Sequence, residues 1–222
     1  TALVNGTVER LITIDHMIAL VCARPLPQIE PQLLAVLRLG FAQLFYMKVP
    51  DMAACSESAL LVTQRSKRGF INGVLRSACR RREELDKAVR QAKDSVRYSL
   101  SPQICDLLRK QYGQESDAIM DSFFRKNPLT LRVNTLKTDA DALTALLLAD
   151  GAQARRIDGV SHAIAVDSGG EAALKRVKAG EAFVQGLSSQ LAVEALDAQE
   201  GQTVVDVCAC PGGKSLGAAL NM

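Results

Sequence analysis

The fold class is decided at Thr203-Val204-Val205-Asp206-Val207-Cys208-Ala209-Cys210-Pro211-Gly212-Gly213-Lys214-Ser215. The first five residues include three valines, which is typical of a buried strand, and a Pro-Gly-Gly turn then leads into a helix. In an open α/β sheet, ligands bind at the carboxyl end of a strand, beside the N-terminus of the next helix. Glycine lets the backbone approach a ligand closely, and the free N–H groups of a helix N-terminus favour a carboxylate or phosphate. The stretch therefore predicts an α/β domain with a ligand-binding loop.

The spacing of the residues in this loop excludes several other kinds of site. A Walker-type phosphate loop ending in Gly-Lys-Ser needs glycine at position 208, where Cys208 stands, and no G-x-G-x-x-G string is present. Cys208 and Cys210 lack a second pair of ligands, because His16 and His162 are the only histidines and structural zinc takes four ligands. No redox C-x-x-C is present either. The sequence therefore predicts neither a nucleotide-phosphate loop nor a metal site.

Upstream of the loop, apolar patterns and turn signals predict a change from helices to a mixed unit. In the first hundred residues, Asp15 is a candidate N-cap for a short helix, Pro31 opens a longer one, and Gly69 is expected to break the chain before a helix over 70–82. Ser101 is predicted to cap a helix that runs to residue 112. Further on we expect strands at 129–134, 154–157, 163–166 and 182–185, with helices at 138–149, capped by Thr138, and at 188–196, capped by Ser188.

Composition and charge limit the class of protein. The chain has 222 residues, is 48% hydrophobic, and has no apolar run of the roughly 18 residues that cross a bilayer. Its six cysteines are too sparse for a disulfide scaffold, so we expect reduced thiols and a soluble, cytoplasmic protein. The net charge of +3 is uneven: residues 65–97 hold 11 basic against 4 acidic side chains. Such a block indicates either a polyanion partner or a solvated helix face.

The loop closely resembles the cofactor loop of the bacterial RNA (cytosine-5) methyltransferases, in which Asp-x-Cys-Ala-Ala-Pro-Gly-Gly-Lys-Thr binds S-adenosylmethionine. Two upstream strings of that family are similar to Gln185-Gly186-Leu187-Ser188-Ser189-Gln190 and Leu131-Arg132-Val133-Asn134. Four strings in the helical part resemble the NusB-type RNA-binding domain of the family's 16S ribosomal RNA (Fmu/Sun-type) member: Leu3-Val4-Asn5-Gly6, Arg24-Pro25-Leu26, Leu37-Arg38-Leu39-Gly40 and Phe70-Ile71-Asn72-Gly73-Val74-Leu75-Arg76. The chain departs from the family at Cys210 (alanine), Ser215 (threonine) and Gly186 (an acidic residue).

The resemblance implies a set of site residues. It assigns S-adenosylmethionine to Cys208, Ala209, Cys210, Pro211, Gly212, Gly213 and Lys214, with Asp206 orienting the loop. Lys214 either meets the cofactor's carboxylate or is a solvated charge. The RNA-contact candidates are Arg65, Lys67, Arg68, Arg76, Arg80, Arg81 and Arg82, and Arg132 is either an RNA contact or structural. The family's nucleophilic cysteine lies beyond residue 222, so we expect no catalytic residue within the chain.

The expected architecture is α plus α/β: a NusB-like helical bundle, a small α/β RNA-binding-like unit and the beginning of a Rossmann-like methyltransferase domain. The predicted bounds are 1–97 for the bundle, 98–127 for a helical connector, 128–180 for the small unit and 181–222 for the start of the cofactor domain. We expect a chain truncated at both ends and inactive alone. The whole enzyme would use S-adenosylmethionine to methylate C5 of a cytosine in 16S ribosomal RNA. The alternative is a non-enzymatic NusB-like RNA-binding protein with a vestigial α/β tail. In either case the expected state is a monomer with ribosomal RNA as partner, and with no membrane and no metal.

Overall fold

Helices build the first part of the computed structural model, which describes residues 1–125 and 127–222 and divides near residue 126 into two units. The helices of the first unit, Thr1–Arg125, are α1 (Ala2–Glu9), α2 (Leu11–Val21), α3 (Pro31–Tyr46), α4 (Asp51–Leu60), α5 (Arg65–Arg80), α6 (Arg82–Gln91), α7 (Asp94–Arg97), α8 (Pro102–Tyr112) and α9 (Ser116–Ser122). No helix among the described residues combines the length and the apolar content of a membrane-crossing segment.

The core of the first unit forms around α3. Its buried face carries Leu37 and Phe41 at helical spacing, and this face packs against α2 and α5. Fully burying one such side chain contributes about 1.5–3 kcal/mol. Gly40 lets α3 approach α5 closely, because a Cβ at this position would lie 2.7 Å from Cδ2 of Leu75.

Two predictions of helix boundaries in this unit are wrong. Asp15 lies inside α2, which begins at Leu11, and both of its carboxylate oxygens accept hydrogen bonds of 2.7 Å from Arg38. Gly69 lies inside α5, which begins at Arg65. A glycine within a helix costs only about 1 kcal/mol relative to alanine, so the packing of the apolar face decides the length of α5.

Residues 98–125 belong to the first unit of the structure. Tyr98 is fully buried beside Cys105 and Met120, and its hydroxyl donates a 2.6 Å hydrogen bond to Asp117. The predicted cap of α8 is confirmed, since the side chain of Ser101 accepts a hydrogen bond from the backbone N–H of Ile104. Residue 126, within the predicted connector 98–127, lies outside the described residues.

The second unit is a small sheet with helices. Its elements are β1 (Leu129–Val133), α10 (Ala140–Ala149), β2 (Gln153–Arg156), β3 (Ala163–Ser168), α11 (Gly170–Lys178), β4 (Ala182–Val184), α12 (Leu187–Leu196) and α13 (Gly213–Ala219). The strand order is β2-β3-β1-β4, and every neighbouring pair is antiparallel. Leu143 and Leu147 of α10 join Leu131 and Ile164 of the sheet in one buried core. The helical bundle followed by a small α/β unit is therefore confirmed.

Two predictions of N-cap residues in this unit are wrong, and a residue one or two positions away caps each helix instead. Asp139, and not Thr138, caps α10, because its Oδ1 accepts from the backbone N–H groups of Asp141 and Ala142. Gly186, and not Ser188, is the N-cap residue of α12.

The predicted strand at 203–207 is wrong. The backbone there is irregular, and Val205 and Val207 are 81% and 91% exposed. A strand needs a neighbour to accept and donate its backbone hydrogen bonds, and among the described residues none pairs with this segment. The strand at Ala182–Val184, predicted to open the cofactor domain, pairs instead with β1 in the antiparallel sheet. The Rossmann-like domain stays a prediction.

Candidate functional site

The loop from Asp206 to Ser215 is organised by its own side chains. One carboxylate oxygen of Asp206 accepts a 2.9 Å hydrogen bond from the backbone N–H of Cys208, and the other accepts a 2.8 Å bond from the Ser215 hydroxyl. These two bonds, the Ser215 bond foremost, lower the pKa of the Asp206 carboxyl. Both oxygens of Asp206 therefore serve the shape of the loop, as the sequence predicts for this residue.

The turn into α13 depends on glycine and on a buried glutamine. Gly212, the N-cap residue of α13, has a φ of 106°, in the region that favours glycine. The carbonyl of Gly213 accepts a 2.9 Å hydrogen bond from Nε2 of Gln185, a buried residue that follows β4. This bond joins the loop to the edge of the sheet at the last strand.

A second glutamine supports the first. Gln190 in α12 is fully buried, and its Nε2 donates to the carbonyl of Gln185 at 3.0 Å and to the carbonyl of Leu131 at 3.2 Å. The two glutamines of the string 185–190 therefore connect β1, the end of β4 and the start of α13. Sequence reasoning missed these roles, although the resemblance marked the string itself.

A cavity of about 310 Å³ lies against the loop, between α12, residues 204–208 and α13. Its walls are mainly apolar, and Asp206, Lys214 and Ser215 supply its polar groups. Nζ of Lys214 lies 3.5 Å from the carbonyl oxygen of Cys208, and no carboxylate among the described residues forms an ion pair with it. The charge of Lys214 is thus available to an anionic group at this cavity.

The structure places Arg132 inside the second unit. Its side chain is 1% exposed, and its Nε and Nη1 have no hydrogen-bond partner within the described ranges 1–125 and 127–222. Burial lowers the pKa of its guanidinium, an effect that the carboxylate of Glu194 opposes. A Cβ at Gly217 of α13 would come within 3.4 Å of Cζ of Arg132, so the helix that follows the loop packs directly on the arginine. Arg132 is therefore not a surface group that RNA could reach.

The predicted RNA-contact residues of the first unit fall into two sets. Four of them are engaged within the protein: Lys67 with Glu30, Arg68 with the carbonyl of Val62, Arg81 with Glu84 and the carbonyl of Leu20, and Arg82 with Asp51 and the carbonyl of Leu44. The other three, Arg65, Arg76 and Arg80, lie exposed on α5 and pair with no side chain that the structure describes. The guanidinium groups of this second set form no ion pair or side-chain hydrogen bond with the described residues.

The cysteines and histidines form no catalytic or metal-binding arrangement in the described part of the chain. All six cysteines are free thiols, and Cys208 and Cys210 are exposed in the loop. Sγ of Cys55 lies 3.8 Å from Sγ of Cys79, and burial raises the pKa of the Cys79 thiol to about 12. His162 is half-buried, and burial lowers its pKa. No group of three or more metal-ligating side chains was found among the described residues.

Two protein families match parts of the chain. Residues 1–80 match the NusB family, and residues 104–172 match the ferredoxin-like domain of the RsmF/B-like methyltransferases. The crystal structure of PH0851 aligns with the whole chain at a TM-score of 0.69 and 20% identity, over 52% of its own length. At that identity, the similarity concerns the fold.

Curated relatives match nearly the whole chain. The probable ribosomal RNA small subunit methyltransferase B of Bacillus subtilis is 33% identical over 97% of this chain and 49% of its own length. The Synechocystis protein of that name is 32% identical, over 97% of the chain and 50% of its length. The ribosomal RNA small subunit methyltransferase B of Escherichia coli (strain SE11) is 30% identical, over 95% and 49%. The chain thus spans about half the length of these relatives.

Proposed function

Because the chain joins a NusB-family domain to an RsmF/B-type ferredoxin-like domain, and its homologues are named ribosomal RNA small subunit methyltransferase B, we propose that it acts in ribosomal RNA methylation. The finer proposal is transfer of a methyl group from S-adenosylmethionine to C5 of a cytosine in 16S ribosomal RNA. The nucleophilic cysteine of that reaction is proposed to lie outside these 222 residues. The observation that carries the proposal is the loop at 206–215, whose side chains hold its backbone in shape.

The residues of the loop fit the proposed cofactor. S-adenosylmethionine, when bound, supplies an activated methyl group on a sulfonium and carries a carboxylate at its amino-acid end. Lys214 offers an unpaired ammonium to that carboxylate, and the apolar walls of the neighbouring cavity suit the rest of a small ligand. The remaining contacts would come from those backbone groups of residues 208–213 that are not already hydrogen-bonded, since the Cys208 N–H bonds to Asp206 and the carbonyl of Gly213 bonds to Gln185. Cys208 and Cys210 belong to this cofactor loop and are not the nucleophile.

For RNA, the proposal rests on the first unit. Arg65, Arg76 and Arg80 are exposed cations on one helix, and such groups bind phosphates and position the substrate without choosing its sequence. The four engaged basic residues and the buried Arg132 are left out of this proposed contact set. We further propose that the protein is cytoplasmic and monomeric.

The experiment that tests the methylation proposal is bisulfite sequencing of 16S ribosomal RNA from cells of the source organism. Cells with the gene intact are compared with cells whose gene is disrupted or carries Asp206→Ala. We expect one cytosine to be protected from bisulfite conversion in the first strain and converted in the other two. Asp158→Ala, a change in the loop between β2 and β3, is the matched control and should keep the protection.

The second candidate function is RNA binding without catalysis. It is favoured by the match of residues 1–80 to the NusB family and by the exposed arginines of α5, which offer cations to a polyanion. An identical pattern of converted cytosines in the intact and disrupted strains, combined with salt-dependent RNA binding by the purified chain, would select this candidate and reject methylation.

A further inference from the structure

The exposed face of α5 carries three arginines and no acidic residue. Arg65, Gly69, Gly73, Arg76 and Arg80 follow one another at intervals of three or four residues, which places them on one side of the helix. The opposite side carries the core residues of this helix. No residue from 58 to 82 is acidic. The sign of the charge therefore favours a polyanion over an ordinary protein surface as the partner of this face.

Packing does not explain the two glycines in the middle of this face. Glycine is the poorest helix former after proline, so its presence in a helix interior calls for a reason. At Gly40 the reason is steric, because a Cβ would meet Leu75 at 2.7 Å. At Gly69 and Gly73 a Cβ would meet nothing within 4 Å, and neither residue has a positive φ. The fold of the first unit would accept a side chain at both positions.

A groove of about 600 Å³ lies beside the glycines, between α5 and residues 21–28. Phe70 and Val74 form its wall on the α5 side, and Val21 and Pro25 line the other side. The guanidinium of Arg24 lies over the ring of Phe70, with Cζ at 5.1 Å from the ring centroid. The groove therefore combines an apolar wall with a cation at its rim.

We propose that the sugar–phosphate backbone of an RNA strand crosses α5 at Gly69 and Gly73, with the groove beside them receiving one of its nucleotides. This inference rests on the proposed RNA binding and names the place of contact. Without side chains at these positions, a phosphate can approach the helix backbone closely while Arg65 and Arg76 reach it from either end. Because Coulomb attraction falls with distance, this close approach strengthens both arginine contacts.

The test adds volume to the face without changing its charge. Gly69→Gln and Gly73→Gln are combined in the 222-residue chain, and binding to fluorescein-labelled 16S ribosomal RNA transcript is measured by fluorescence anisotropy. We expect affinity to fall at least tenfold, and the melting temperature to stay level or rise because glutamine is the better helix former. The matched control is Gly6→Gln in α1, where a Cβ also meets nothing within 4 Å; it should bind as the parent chain does.

A graded series separates steric blocking from misfolding. Alanine at both glycines should lower the affinity less than glutamine does, while the melting temperature rises. If the parent chain binds RNA with the expected salt dependence and the glutamine variant binds equally well, the inference is overturned and the proposed RNA binding stands. If the parent chain does not bind RNA at all, the inferred contact at α5 and the proposed RNA binding are both wrong. Equal losses in the Gly6→Gln control would also overturn the inference.

Discussion

The basic face of α5 and the loop at 206–215 prepare for a ligand in opposite ways. On α5, three exposed arginine side chains form no ion pair with the described residues and are themselves the groups available for binding. In the loop, the side chains of Asp206 and Ser215 are used in internal hydrogen bonds, and the groups available to a ligand are backbone groups other than the Cys208 N–H and the Gly213 carbonyl. A binding surface made of side chains is changed by removing charge. Binding by backbone groups is weakened only when the side chains that hold the backbone in its conformation are replaced.

The two regions also differ in what supports them. The face of α5 rests on a helix with four buried apolar residues, and none of its arginines is needed for that packing. The loop rests on hydrogen bonds that run from Gly213 to Gln185 and on to Gln190 within the second unit. Substitutions of the exposed α5 arginines should therefore affect binding with little effect on stability, whereas substitutions beneath the loop should affect stability.

The largest effect is expected from removing the exposed arginines. The triple variant Arg65→Gln, Arg76→Gln and Arg80→Gln should weaken binding to 16S ribosomal RNA about a hundredfold near 0.1 M salt. The slope of log affinity against log salt should fall by about two to three, close to one for each lost phosphate contact. Anisotropy titrations at several salt concentrations measure both quantities.

A second triple variant removes the same number of positive charges from a different part of the first unit. Lys87, Arg90 and Lys93 are exposed, but they share their segment with Glu83, Glu84 and Asp86. Glutamine at these three basic positions should cost little affinity. Equal losses of affinity in the two triple variants would mean that net charge alone binds RNA. The exposed arginines of α5 would then not be a specific binding surface.

Arg132→Met, a change inside the second unit, should leave RNA affinity unchanged.

The next largest effect concerns the support beneath the loop. Gln190→Leu leaves the carbonyls of Leu131 and Gln185 without their buried donor, so the free energy of unfolding of the second unit should fall by about 2–3 kcal/mol. Urea denaturation of the whole chain measures this loss. Gln153→Leu at the exposed first position of β2 is the control and should change stability by less than about 0.5 kcal/mol. An unchanged unfolding midpoint for Gln190→Leu would mean that water satisfies both carbonyls.

How far the sequence predicts these regions depends on whether the decisive contacts are local. The cap at Ser101 and the role of Asp206 involve partners up to nine residues away, and both were predicted. The role of Asp15 was not, because its partner Arg38 lies 23 residues further along, on α3. The strand at 203–207 failed for a related reason: an apolar run indicates burial, but a strand also needs a partner strand. The choice among the basic residues of 65–82 likewise depended on ion pairs that only the fold brings together.

The smallest expected effect is the pH dependence of the loop itself. The hydrogen bonds from Ser215 and Cys208 lower the pKa of Asp206, so the ordered loop favours the charged carboxylate. A lowered pKa means that this contribution is present above the ordinary Asp value near 3.9 and is lost as the pH falls through the lower value of the folded state. The protection factor of the Cys208 amide, which corrects the exchange rate for its intrinsic pH dependence, should therefore stay constant down to pH 5 and fall only in stronger acid. Asp206→Asn should remove this pH dependence, since an amide does not titrate. A loss of protection between pH 6 and 5 would show that a group other than Asp206 holds the loop. The conformation of the loop backbone could then no longer be attributed to the Asp206 carboxylate.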